Sequence, residues 1–77
     1  MIDLHVNGKA VQLPQPLPLV DYLHQLGVQP RAVAIELNGR ILERAEFGST
    51  TLNAGDSVEI VRMVGGGSIA GGKTELT

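Results

Sequence analysis

The sequence predicts an α+β fold: a mixed sheet of four to five strands, one main helix across one of its faces, and a flexible C-terminal tail. Three features carry that prediction. The dipeptides Asn7-Gly8 and Asn38-Gly39 each join apolar-alternating runs, one segment has helical spacing between a proline and a glycine, and five of the ten glycines fall after Val64.

The elements follow in chain order. IDLHV, residues 2–6, alternates apolar and polar, and the alternation resumes after Asn7-Gly8 in KAVQL. Asn-Gly accepts positive φ at both central positions of a tight turn, so the pair predicts an antiparallel hairpin. Ile2, Leu4 and Val6 would share a face, with Val11 and Leu13 opposite them. PQPLP, residues 14–18, ends the second strand, because proline gives no ladder donor. Pro18 would then sit in the first turn of a helix, where its missing N–H is not needed. LVDYLHQLG places Leu19, Val20, Leu23 and Leu26 on one stripe that closes at Gly27, with His24 on the solvent side. Val33, Ile35 and Leu37 alternate into Asn38-Gly39, a second hairpin that continues in RILER. AEFGSTTLNAGDS has no sustained period; it is loop with one helical turn near Glu43 to Phe47 and a tight turn at Ala54-Gly55-Asp56. VEIVRMV, residues 58–64, is the last strand, with Val58, Ile60 and Arg62 in one row and Glu59, Val61 and Met63 in the other. Neither row is purely polar, which suits a central strand.

The order is strand, strand, helix, strand, short strand, strand. A right-handed crossover through the helix sets a later strand parallel to the first, an arrangement that resembles the β-grasp of ubiquitin-like proteins. Residues 1–64 would form this domain and residues 65–77 a glycine-rich tail.

Composition narrows the function. A net charge of −2 with six scattered Lys and Arg residues argues against nucleic acid, whose phosphates are held by clustered cations. The absence of Cys removes thiol nucleophiles and thiolate metal sites, and His5 and His24 have no partner at ligand spacing, so no metal is expected. No run approaches the roughly 20 apolar residues of a membrane span, and MIDLHVNGK has no signal-peptide pattern. The expected location is cytoplasmic, without a membrane partner.

The tail allows two chemistries. GSIAGGKT, residues 67–74, matches the G-x-x-x-x-G-K-[ST] loop that cradles nucleotide phosphates. That loop needs a helix to follow it, and only Glu75, Leu76 and Thr77 come after Lys73-Thr74 in this sequence. The other chemistry uses glycine as a handle. A terminal Gly-Gly has no side chains and can thread a narrow channel to reach ATP held by another enzyme.

Several motifs in order carry a resemblance. VNGK at 6–9, LG at 26–27, AIELNGRILER at 34–44 and TTLNAGDSVEIVRMVGGG at 50–67 resemble the ThiS sulfur carriers of thiamine biosynthesis, and do so more than the cousin MoaD, the molybdopterin synthase small subunit. The resemblance covers residues 1–67. It implies a carrier and no enzyme, with no bound cofactor: a ThiF-like adenylyltransferase uses ATP to activate the carboxylate of Gly67, a persulfide donor converts it to a thiocarboxylate, and thiazole synthase, ThiG, takes the sulfur. Gly66 and Gly67 are then the adenylation and thiocarboxylate site. Arg62, Met63, Val64 and Gly65 are candidates for partner docking, with plain surface or edge packing the equal alternative for Arg62 and Met63. Glu59 reads as a solvated strand residue and Asp56 as a turn former.

The sequence departs from that pattern after Gly67, where ThiS proteins stop and SIAGGKTELT, residues 68–77, continues. An internal Gly67 cannot be adenylated. The extension is either a pro-segment removed by a processing peptidase, which is favoured, or a linker remnant, or a sign that this copy is inactive as a carrier. Outside the thiazole pathway, the alternatives are a MoaD-like carrier and a ubiquitin-like interaction or conjugation module.

Overall fold

The computed structural model describes residues 1–63 and the backbone of residues 73–75. Strands β1 (Ile2–Val6) and β2 (Lys9–Leu13) form the first hairpin, in register from Ile2↔Leu13 to Val6↔Lys9. Asn7 and Gly8 take φ of 51° and 81°. This is the positive-φ pair that a two-residue hairpin turn requires.

Leu17–Pro18 is a short strand, β3, that the proline-rich sequence conceals. It pairs with β6, described below, in a ladder separate from the main sheet. Pro18 is therefore the residue before the helix, with extended ψ of 139°, and not part of its first turn as expected. Proline's φ of −56° suits either conformation, and the β3 pairing selects the extended one.

Helix α1 (Leu19–Leu26) ends at Gly27, φ 77°. The Gly27 N–H donates to the His24 carbonyl and the Val28 N–H to the Leu23 carbonyl, at 3.0 and 3.1 Å. These two bonds are the Schellman termination that glycine permits. Leu19, Tyr22 and Leu23 are buried and Val20 half-buried, whereas Leu26, expected on the apolar stripe, is 42% exposed. Leu26 is the last helical residue, and Val28, beyond the turn, packs against the core instead.

A 3₁₀ turn (Pro30–Ala32) leads into β4 (Val33–Leu37), which turns through Asn38 and Gly39, φ 53° and 85°, into β5 (Arg40–Ile41). The expected helical turn is a longer 3₁₀ segment, Arg44–Ser49. It opens with a capping box in which the Glu43 and Glu46 side chains each accept from the other's backbone N–H. This segment inserts Phe47 into the core. Then come β6 (Thr51–Leu52), antiparallel to β3, a turn with Gly55 at φ 85°, and β7 (Ser57–Met63), which starts one residue earlier than expected; its expected last residue, Val64, lies outside the described residues.

The main sheet runs β2-β1-β7-β4-β5. β1 and β7 are parallel and the other neighbours antiparallel, which is the mixed sheet with a central last strand that the sequence predicts. Its inner face supplies Leu4, Val6, Val33, Ile35, Val58 and Ile60, all at most 3% exposed, and α1, Leu42, Phe47 and Leu52 close over them. Each fully buried aliphatic side chain contributes about 1.5–3 kcal/mol. Of the expected tail, residues 65–72, 76 and 77 lie outside the described residues, as does most of the phosphate-loop motif. Lys73–Glu75, also placed in the tail by the sequence reading, form a strand, β8, that pairs antiparallel with β7 from Met63↔Lys73 to Val61↔Glu75.

Candidate functional site

The candidate site is the C-terminal end of β7, the strand that runs into the glycines. Two asparagines hold this strand. The Asn7 side chain faces Ile60: its Oδ1 accepts from the Ile60 N–H at 2.7 Å and its Nδ2 donates to the Ile60 carbonyl at 3.1 Å. An amide side chain thus completes the ladder where β1 has turned away. The Asn7 backbone N–H donates to the Val58 carbonyl at 2.8 Å. At the start of β7, Asn38 Oδ1 accepts from the Ser57 N–H at 2.8 Å, and Asn38 Nδ2 donates to Asp56 Oδ1 at 3.0 Å. Asp56 also accepts the Asn53 N–H through Oδ2 at 2.7 Å, so it is the turn former that the sequence suggests.

Both asparagines are the first residue of an Asn-Gly turn. Positive φ lets a short polar side chain bond locally, and here it aims each amide at the same central strand. The sequence reading identified Asn7 and Asn38 only as turn residues. Their spacing within the hairpins holds no hint of the second role, which needs β7 to lie beside both turns.

Beyond Ile60, β7 is flanked by β4 on one side, with Ala34↔Val61 and Val33↔Arg62 in register, and by β8 on the other. Arg62 is exposed and Met63 half-buried, which leaves both open to a partner. The two side chains lie on opposite faces of the strand. Val64 and Gly65, the other docking candidates, and Gly66 and Gly67, the adenylation and thiocarboxylate candidates, lie outside the described residues.

Among the described residues no charged or polar side chain is buried, and no group of three or more His, Cys, Asp or Glu side chains could hold a metal. Burial raises the pKa of the Tyr22 hydroxyl, a group carried by α1 and not by β7. What the described body offers is a firmly held strand and the surface around it.

The ThiS family model matches residues 4–67, from inside β1 to the third glycine after the last core strand. The chain belongs to the ThiS family. That places it among the sulfur carriers of thiamine biosynthesis, as the motif order implies. The solved thiamine biosynthesis protein (ThiS) from Geobacter metallireducens is 40% identical with a TM-score of 0.73, over 84% of this chain and 99% of that one. A solution structure of a thiamine biosynthesis protein from the same organism gives 41% identity and a TM-score of 0.69, over 87% and 90% of the two chains. At these identities the shared β-grasp fold and the shared family agree.

Two curated relatives sharpen the comparison. An uncharacterized protein, ycf40, of Porphyra purpurea is 38% identical over 66 residues, which is 86% of this ThiS-family chain and 93% of the relative. A thiazole synthase of Paramagnetospirillum magneticum is 35% identical over 65 residues, 84% of this chain. The chain spans 20% of that synthase's length. No helix among the described residues is long and apolar enough to cross a membrane.

Proposed function

We propose that this ThiS-family chain carries sulfur on Gly67 for the formation of thiazole. A carrier of this kind needs a rigid body for recognition and a terminal carboxylate for chemistry. The observation that carries the reading is the match to the ThiS family ending at Gly67, four residues past the end of β7.

The steps follow from the carboxylate. An adenylyltransferase joins the Gly67 carboxylate to the α-phosphate of ATP and releases pyrophosphate. The terminal sulfur of a donor persulfide attacks the acyl carbon, and AMP leaves. A second thiol then takes up the donor's inner sulfur as a disulfide, leaving a thiocarboxylate on Gly67. Thiazole synthase accepts that sulfur. Gly65 and Gly66 carry no side chains to obstruct a narrow channel, and Arg62, Met63, Val64 and Gly65 are the stretch a partner meets first. ATP is bound by the activating enzyme and not by the carrier.

Residues 68–77 must be cut away before any of this, since an internal Gly67, tied up in a peptide bond, has no free carboxylate to attack the α-phosphate of ATP. The proposed maturation step is cleavage between Gly67 and Ser68 by a peptidase. The similarity to one fifth of a protein named thiazole synthase supports that enzyme as the recipient, because there the unit and the synthase share one chain.

The test compares the chain ending at Gly67 with the chain ending at Thr77, each given an adenylyltransferase of this family and ATP. Exchange of labelled pyrophosphate into ATP is expected with the first and absent with the second. Equal exchange with both chains, or none with either, contradicts the reading.

A further inference from the structure

The helix and the long 3₁₀ segment cover only one face of the sheet. The other face carries Ala34, Glu36, Ile41, Glu59 and Val61, which line a shallow hollow of about 230 Å³. Glu36 is directly opposite Glu59 across β4 and β7, and opposite Ile41 across β4 and β5. Directly opposed side chains in an antiparallel pair start about 4.5–5.5 Å apart at Cβ, and like charges there oppose folding. Neither glutamate has a hydrogen-bond or ion-pair partner among the described residues, whose one ion pair is Arg40–Glu46. Arg44, another nearby cation in sequence, is held by the Pro30 carbonyl at 3.1 Å. Ile41 at the rim is 72% exposed. An unfavourable charge pair therefore sits within an apolar rim, on the strand that leads to Gly67.

We propose that this hollow docks a partner protein that inserts one arginine or lysine between Glu36 and Glu59 and lays aliphatic side chains on Ala34, Ile41 and Val61. Arginine fits best, since its planar fork can donate to an oxygen of each carboxylate. A bare divalent cation is a poorer occupant, because Mg²⁺ and Ca²⁺ take six or more oxygens and only two carboxylates are here. The partner is thiazole synthase, and this step rests on the carrier reading above. Val61 lies six residues before Gly67, so the reacting end is within about 20 Å of the docked surface.

The signature is opposite signs in two measurements. In the full chain, the double variant E36Q/E59Q removes the repulsion and keeps the shape. Its melting temperature is expected to rise by about 2–4 °C, while its Kd for purified thiazole synthase, by calorimetry, weakens about tenfold or more. Ile41→Ala is expected to weaken binding without raising the melting temperature. Unchanged affinity in E36Q/E59Q overturns the proposal, and so does a fall in its melting temperature. A rise in wild-type melting temperature with Mg²⁺ or Ca²⁺ that E36Q/E59Q lacks also overturns it, in favour of an ion site. If the wild-type chain does not bind the synthase, the docking proposal falls; whether the carrier reading falls with it is read separately, from sulfur transfer by the Gly67-ended chain.

Discussion

The two faces of the sheet differ in what they satisfy. On the inner face, Ile35 and Ile60 oppose each other across β4 and β7, each about 1% exposed or less, within the hydrophobic core. At the next register position, on the outer face, Glu36 opposes Glu59 with no cation paired to either among the described residues. The same two strands thus hold a pair that stabilises the fold and a pair that opposes it. The contrast teaches that the inner face is arranged for stability alone, while the outer face gives some up, as a surface kept for binding does.

That contrast can be broken from the inside first. Ile60→Ala leaves a cavity at the centre of the core and is expected to cost about 2–5 kcal/mol in urea unfolding. Val61→Ala, one position away on the outer face, is expected to cost well under half of that. Equal losses would show that the outer face is covered after all.

Next in size is the grip of Asn7. Asn7→Gly keeps the positive φ of the turn and removes the amide, leaving the Ile60 N–H and carbonyl without those partners, at an expected cost of about 1–3 kcal/mol. Asn38→Gly removes more exposed bonds and is expected to cost less than Asn7→Gly by the same urea assay. Amide hydrogen exchange at Ile60 should accelerate in the first variant and not in the second.

On the outer face the sign reverses. E36Q/E59Q is expected to gain stability, by up to about 1 kcal/mol. A loss in the same urea assay would mean that the two carboxylates support the fold.

The smallest effect lies at the rim. The Arg40 guanidinium, bonded to Glu46 at 2.8 Å, and then the Glu43 N–H hold the Glu46 carboxyl below the usual carboxylate range. A depressed pKa contributes stability that is complete above the ordinary carboxylate pKa and is lost as pH falls through the folded-state value. The pair is solvent-exposed, so the contribution is small and screened by salt. Glu46→Gln should therefore narrow the difference in urea midpoint between about pH 6 and pH 3, and added salt should shrink that narrowing.

Much of the fold was legible in the sequence because its signals are local. Asn-Gly turns, alternation in β1, β4 and β7, and the closing Gly27 act through their own backbone, and each appears where expected. The rest depends on tertiary partners. Leu17–Pro18 becomes strand only because Thr51–Leu52 lies beside it, and that pairing holds Pro18 outside the helix. Phe47 and Leu52 enter the core from a stretch with no period, since a 3₁₀ segment and a two-residue strand are too short to show one. At the site, the glycine motif stands out in the letters, but the side-chain role of Asn7 does not, because its partner Ile60 is 53 residues away. The opposed glutamates were equally hidden: Glu59 alone reads as a solvated strand residue, and only the β4–β7 register sets it against Glu36.

The central claim is that sulfur travels on Gly67, and the most direct measurement is the intact mass of the chain ending there. Incubated with the adenylyltransferase, ATP, a persulfide donor and a thiol, the chain is expected to gain the mass difference of one oxygen replaced by sulfur, and to lose it again when thiazole synthase and its substrates are added. An unchanged mass, or attachment of the chain to a lysine of a larger protein, would contradict the account.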